Sequence, residues 1–243
     1  MKNLLNLRAI TFLGFGVLFM VSCEKSETEN DIVQVSEQTE NESFKSQTGN
    51  DGEILKVKET LQPVLKIHFT KDVPHDVAVQ EFNKAATAYI AKQPKQSNKG
   101  FSTEWFYRVW VRTGTQTHNE TSGPVGTFVR FTTSVGTYTP AFNWMDDAGD
   151  SLDGGWDGYL FRATFPGQAI EWVEVDYGYL YLKGTDGWFV KDYVCQIWKE
   201  DQTVTATGSS GFWSNPNIWL DNDTSDGWDN YYSGNTGTGR LNF

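Results

Sequence analysis

Cysteine is nearly missing from this chain: only Cys23 and Cys195 stand in 243 residues. Two cysteines cannot build a disulfide-rich scaffold or a multi-cysteine metal cluster. Basic residues are also short, 20 against 31 acidic, for a formal net charge of −11. That balance lacks the basic footprint of a nucleic-acid binder. No apolar run reaches the roughly twenty residues of a membrane-spanning helix. Catalytic signatures are missing too: there is no Gly-x-Ser-x-Gly elbow, no His-Glu-x-x-His helix and no phosphate-binding glycine loop. Of the 3 histidines only His118 lies in the aromatic-rich part of the chain, so the reading is of a non-enzymatic protein. What the chain has in quantity is aromatics: 10 Trp, 10 Tyr and 16 Phe.

The amino terminus is charged at Lys2 and Arg8, then apolar from Ala9 to Val21. A charged start, a short apolar core and a small residue at the break describe a secretory signal, residues 1–22. Met20-Val21-Ser22-Cys23 resembles the lipobox of bacterial lipoproteins, with Met20 in the place of the usual Leu. That resemblance implies that Cys23 becomes the acylated amino terminus and holds the protein to a membrane. It implies an outer-membrane or cell-surface lipoprotein of a Gram-negative-type envelope. Residues 23–53 are rich in Glu, Ser, Thr, Asn and Gln and almost free of apolar side chains. Such a segment buries too little surface to offset its ordering entropy, so it reads as an acidic tether.

Residues 54–96 read as a small strand–helix segment. Val64-Leu65-Lys66-Ile67-His68-Phe69 alternates as a strand does. Ala78, Phe82, Ala85, Ala86, Tyr89 and Ile90 recur three or four apart, one face of a helix ending before Pro94. The segment either packs on the main domain or stands as a protease inhibitor or propeptide-like module.

From residue 101 onward the chain is strand-like, and it holds all the Trp. Trp105, Tyr107, Val109 and Val111 alternate with Phe106, Arg108, Trp110 and Arg112, a period of two. Similar runs follow at Thr127–Thr132, Tyr159–Phe165, Glu171–Leu182 and Trp188–Trp198, separated by Gly-rich turns. Short strands so spaced predict a mainly β fold, an antiparallel two-sheet sandwich over 101–243. Tyr107, Val109, Val129, Phe161, Val175 and Trp188 should lie between the sheets. Phe212, Trp213, Trp219 and Trp228 should pack the tail onto them.

Tyr107-Arg108-Val109-Trp110-Val111-Arg112-Thr113-Gly114 resembles the opening strand of PLAT (lipoxygenase-homology) domains. Gly126-Thr127-Phe128-Val129 and Asp186-Gly187-Trp188-Phe189-Val190 are similar to two later strand starts of that family. The resemblance covers about 105–198 as a core and leaves 199–243 as an extension; the Asp-rich stretch from Pro140 to Gly158 departs from it. It implies a PLAT-like sandwich that binds through its loops, with calcium among the ligands that tip loops of the family take.

Two acidic clusters fit the hard-oxygen chemistry of calcium. Asp146, Asp147, Asp150, Asp153 and Asp157 form one; Asp221, Asp223 and Asp226, followed by Asp229, form the other. The alternative is that these side chains cap turns and keep an acidic surface soluble. The second cluster is not an EF-hand, because its spacing slips and its closing Glu is absent. Trp110, Trp144, Trp156 and Trp228 are the candidate contact aromatics, from strand faces or loops. Arg108, Arg112, Arg130 and Arg162 fall on outward positions, either paired with local carboxylates or facing an anionic partner. Cys195, mid-strand, reads as a buried structural thiol. The function these residues imply is a lipid-anchored binding module for a protein, lipid or glycan. The alternative is a carbohydrate-binding or enzyme-accessory lipoprotein.

Overall fold

Period-two alternation governs the structure, a computed structural model that describes residues 60–94, 102–145, 153–198, 210–221, 227–234 and 237–243 in full, and 47–48 and 54–55 as backbone. These lie in one unit, Ile32–Phe243. The elements in order are β1 (Gln47–Thr48), β2 (Ile54–Leu55), β3 (Thr60–Leu61), β4 (Leu65–Phe69), α1 (His75–Ala91), β5 (Glu104–Thr113), β6 (Val125–Thr133), β7 (Gly136–Tyr138) and β8 (Phe142–Trp144). The chain continues through β9 (Trp156–Thr164), β10 (Trp172–Lys183), β11 (Trp188–Ile197), β12 (Gly211–Ser214), β13 (Ile218–Leu220), β14 (Trp228–Tyr232) and β15 (Leu241–Asn242).

The fold is mainly β, with two mostly antiparallel sheets face to face. One sheet runs β12-β11-β5-β9-β4, with β13 also on β11. The other runs β14-β10-β6-β8-β3, with β15 on β10 and β7 on β6. Only β3 and β8 pair in parallel among these contacts. The six residues expected between the sheets are all there, each almost fully buried. Several polar groups in this interior are partnered, as burial favours, while Asn143 Nδ2 and Trp105 Nε1 are buried without a hydrogen bond among the described residues. Tyr107 donates its hydroxyl to Asn143 Oδ1 at 2.9 Å, Tyr193 and Thr127 share a 2.6 Å hydroxyl contact, and Trp188 Nε1 donates to Thr113 Oγ1 at 2.8 Å.

A second apolar cluster lies on the outside of the first sheet. Here α1 is laid across the sheet by Ala78, Val79, Phe82 and Ala86, which meet Leu65, Ile67, Trp110, Trp156, Leu160, Val194 and Trp198. Pro74 precedes the helix, its fixed φ compatible with entry, and Asp76 suits the positive end of the helix dipole. Leu65–Phe69 pairs with Trp156–Leu160, so this segment contributes a strand to the sandwich as well as a cover. The tail is divided between the sheets. Phe212 joins the core and Trp213 packs on the helix-side cluster, whereas Trp219 is 43% exposed. Alternation decides this: on β13, Ile218 and Leu220 turn toward the core and the residue between them must turn out.

Candidate functional site

With α1 covering one outer face, the other sheet presents the opposite one. On β10 the inward side chains are aliphatic or absent, Gly178, Leu180 and Leu182, and the residues between them are Tyr177, Tyr179 and Tyr181. The register sets Tyr232 beside Tyr179, and Phe128 of β6 on its other side. Trp228 follows two steps along from Asn230 on β14, and Phe142 and Trp144 come from β8. The rings form a continuous row. Phe142 is its hub, with centroids 5.0 Å from Phe128, 5.4 Å from Trp228, 5.8 Å from Tyr181 and 6.3 Å from Trp144. Tyr179 continues it at 6.1 Å from Tyr181, lies stacked on Tyr232 at 4.8 Å, and reaches Tyr177 at 5.8 Å. Edge-to-face and offset geometries of this kind are the favoured ones for aromatic pairs. Tyr232 remains 42% exposed.

Beyond Tyr177 the row ends in a polar depression of about 810 Å³. A bulge between Val175 and Tyr177 takes Asp176 out of the ladder with β6. The carboxyl-terminal run closes the other side. It is pinned by β15 to Trp172 and Val173, and by Gly237, whose N–H donates to the Asp176 carbonyl at 3.2 Å. Between the pins Gly239 adopts a φ of +81°, which favours glycine, and Arg240 follows it, exposed. Arg240 Nε meets Glu174 Oε1 at 2.6 Å, and its guanidinium lies 3.6 Å over the Trp172 ring. Arg130 Nη1 donates to the Tyr177 hydroxyl at 3.0 Å, with Nε 3.6 Å from Asp176. Thr132 also donates to Asp176, at 2.8 Å.

The residues singled out by sequence are scattered over this frame. Trp144 and Trp228 are half-buried members of the row. Trp110 and Trp156 are not contact aromatics: they are 2% and 4% exposed, because the outward face of their sheet is roofed by α1. Arg108 is not on a surface either. It is 1% exposed, with Nε on Gln196 Oε1 and Nη1 on Asn83 of the helix, both at 2.8 Å, and desolvation pulls its pKa down to about 9. The arginines therefore form no single stripe, and Arg130 belongs to the opposite sheet. Arg112 pairs with Asp192 at 3.6 Å, and Arg162 with Glu104.

Asp146, Asp147, Asp150, Asp223 and Asp226 lie outside the described residues. Of the first cluster, Asp153 accepts from Lys71 Nζ at 2.8 Å and Asn119 Nδ2 at 3.0 Å, which hold its carboxyl below the usual range. Asp157 is buried against His68 Nδ1 at 2.8 Å. The two carboxylates are thus engaged by different partners. Asp221 is exposed at the end of β13, and Asp229 lies in β14. Among the described residues no three His, Cys, Asp or Glu side chains converge as a metal site.

Counting histidines by segment missed that β4 and α1 bring two of them to the main sheet. His68 is sealed with Asp157. His75 lies face to face on Trp156, centroids 4.1 Å apart, with Trp213 at 5.4 Å, and burial lowers its pKa. Cys195 sits in the inter-sheet core, where desolvation pushes its thiol far above the ordinary range. None of the three lines the depression beside Tyr177. Tyr177, Tyr179, Tyr181, Tyr232, Phe128, Phe142, Glu174 and Arg240 escaped the sequence reading. The signal was present in Tyr177-Gly178-Tyr179-Leu180-Tyr181-Leu182, which places tyrosine on one face and aliphatics on the other.

No family model and no curated protein matches the chain. Solved structures with partial likeness include a coral 8R-lipoxygenase, described as activated by calcium through a C2-like domain. It is 16% identical at a TM-score of 0.35, over 52% of this chain and 16% of that one. Alpha-toxin of Clostridium perfringens is 16% identical at a TM-score of 0.38, over 65% of this chain and 39% of the toxin. Alpha toxin of Clostridium absonum is 13% identical at 0.33. The chain spans well under half of each. Likeness of this size carries no argument about function, and the sandwich assignment rests on the strands themselves.

Proposed function

We infer that the chain is an exported, non-enzymatic binding module, tethered to an outer membrane or cell surface through acylated Cys23, whose contact surface is the aromatic face of the β14-β10-β6-β8-β3 sheet. This moves the expected contact from the sandwich tips to a sheet face. The observation that carries it is the contrast between the two outer faces. One spends its aromatics under a helix; the other ranks eight rings beside a polar depression. Aromatic-rich faces of this kind give large contact area at low entropic cost. In favour of binding rather than catalysis, Cys195 and the His68–Asp157 pair are enclosed, and the half-buried His75 is stacked on Trp156. Against the protease-inhibitor reading stands the use of Leu65–Phe69 and His75–Ala91 within the sandwich.

Hydroxyl-radical footprinting tests the surface, comparing protein displayed on its own cells with purified protein. Tyr232 and Trp228 should be protected on cells, and Trp219, similarly exposed on the other sheet, should not. Equal labelling of all three in both states would remove the face as the contact surface. The anchor is tested separately: Cys23→Ala should lose palmitate labelling and leave the membrane fraction.

A further inference from the structure

We propose that the depression between Arg130 and Arg240, continued by Tyr177, Tyr179 and Tyr232, binds a neutral oligosaccharide chain. The proposal rests on the binding-face reading and names its ligand class. Charge decides the class first. Two guanidinium groups and two carboxylates, Glu174 and Asp176, line the depression, so its formal charge is balanced. A charged ligand gains no net attraction there, and a polyanion meets the field of a chain with net charge −11. This disfavours acidic polysaccharide and anionic lipid surfaces.

A hydroxyl-rich ligand suits the same groups. Each sugar hydroxyl both donates and accepts. Carboxylates accept only and guanidinium groups donate only, so paired ions offer complementary partners to each hydroxyl. Charge-assisted bonds of this type are the stronger ones. Arg240 brings five N–H donors, of which Nε meets Glu174, and stacking on Trp172 holds the plane of the fork.

The aromatic continuation supplies the apolar half of sugar recognition, since the C–H face of a pyranose packs against an aromatic ring. Tyr177 and Tyr179 stand two residues apart along β10, at a spacing of roughly 6–7 Å, and Tyr232 lies beside Tyr179; Tyr181, the next in the series, is 7% exposed and takes no part. The run from Glu174 to Tyr179 is therefore about 15 Å long, enough for more than one linked ring. Tyrosine adds a hydroxyl at each step, which phenylalanine would not.

The test is calorimetric titration of the full chain in detergent with neutral hexasaccharides built on glucose, mannose, galactose or xylose. Heparin and polygalacturonate are the anionic controls. At least one neutral series should bind, more tightly with chain length and with little dependence on salt. Tyr179→Ala and Glu174→Gln should each weaken it about tenfold or more, and Trp219→Ala should not. Tyr179→Phe keeps the stacked ring if the alanine variant is poorly folded, and should weaken binding by a smaller factor. Absence of any neutral binder overturns the proposal, as does binding that survives both substitutions or is confined to the anionic polymers. If neutral sugars fail while Tyr232 and Trp228 stay protected on cells, the face serves a protein partner and only the ligand class is wrong.

Discussion

Gly158 lies directly beneath Phe82: a methyl group on this glycine would stand 2.8 Å from Cδ2 and 3.0 Å from Cε2 of the ring. Trp110 Cζ3 is 3.4 Å from the same point, so the ring has little room to retreat. The helix therefore reaches the sheet because β9 has no side chain at that position. Gly158→Ala should cost about 1–3 kcal/mol as overpacking. Phe82→Ala should cost about 3–5 kcal/mol as a cavity. Denaturant melts measure both. A neutral Gly158→Ala would mean that α1 is not seated as described.

Stability should fall with pH above about 10. The buried Tyr107 and Tyr193 hydroxyls and the Cys195 thiol are all pushed up by desolvation. In the unfolded chain the thiol releases its proton near 9.0 and the phenols near 10.0, while the folded state retains all three. Their contribution is complete below those values and is lost as pH rises, at about 1.4 kcal/mol per pH unit for each proton. Arg108 runs the other way, since its folded pKa of about 9 lies below its ordinary 12.5. Between pH 9 and 10 the thiol and Arg108 nearly offset each other, one against one; the two phenols join only near 10, and from there the net slope is negative. Cys195→Ala leaves Arg108 unopposed and should turn the slope upward between pH 9 and 10, and urea melts across pH 8–11 would show it. A flat profile would contradict the burial of these hydroxyls.

Asp157 and Asp153 should behave differently although they are close in sequence. Asp157→Ala strips His68 of a buried partner and should cost about 1.5–3 kcal/mol with or without calcium. Asp153→Asn, at an exposed pair with Lys71, should leave the melting temperature almost unchanged. Calcium titration of both variants and of the parent separates a structural carboxylate from an ion ligand. If Asp153→Asn abolishes a calcium-induced rise in melting temperature, the ion reading of this loop stands and the Lys71 contact is secondary.

The sandwich was legible because alternation is a local property. Tyr107, Val109 and Val111 on one side of β5 and Arg108, Trp110 and Arg112 on the other could be separated from the sequence alone. Which outer face meets solvent was not legible, because that depends on a helix some twenty-five residues upstream in the chain. Hence alternation alone places Trp110, Trp156 and Arg108 at the surface and does not distinguish the tyrosines of β10. The depression was less legible still. It joins Arg130, Asp176 and Arg240 from three separate stretches through a bulge and a tail return, neither of which leaves a periodic signal.

Gly126 does for the aromatic face what Gly158 does for the helix. A methyl group there would fall inside the volume of the Phe142 ring, with the Asn143 carbonyl 3.0 Å away on the backbone side. Since Phe142 touches Phe128, Trp144, Tyr181 and Trp228, displacing it should disturb the row rather than one contact. Gly126→Ala should therefore destabilise by about 1–3 kcal/mol and alter the near-ultraviolet aromatic dichroism. Phe142→Ala should cost about 3–5 kcal/mol. In the double variant the overpacking vanishes, because the added methyl enters space that the ring has left. The double variant should then be more stable than the sum of the single changes implies, by about 1–3 kcal/mol. Strict additivity in that cycle would mean that Phe142 does not lie over Gly126, and the row would lose its hub.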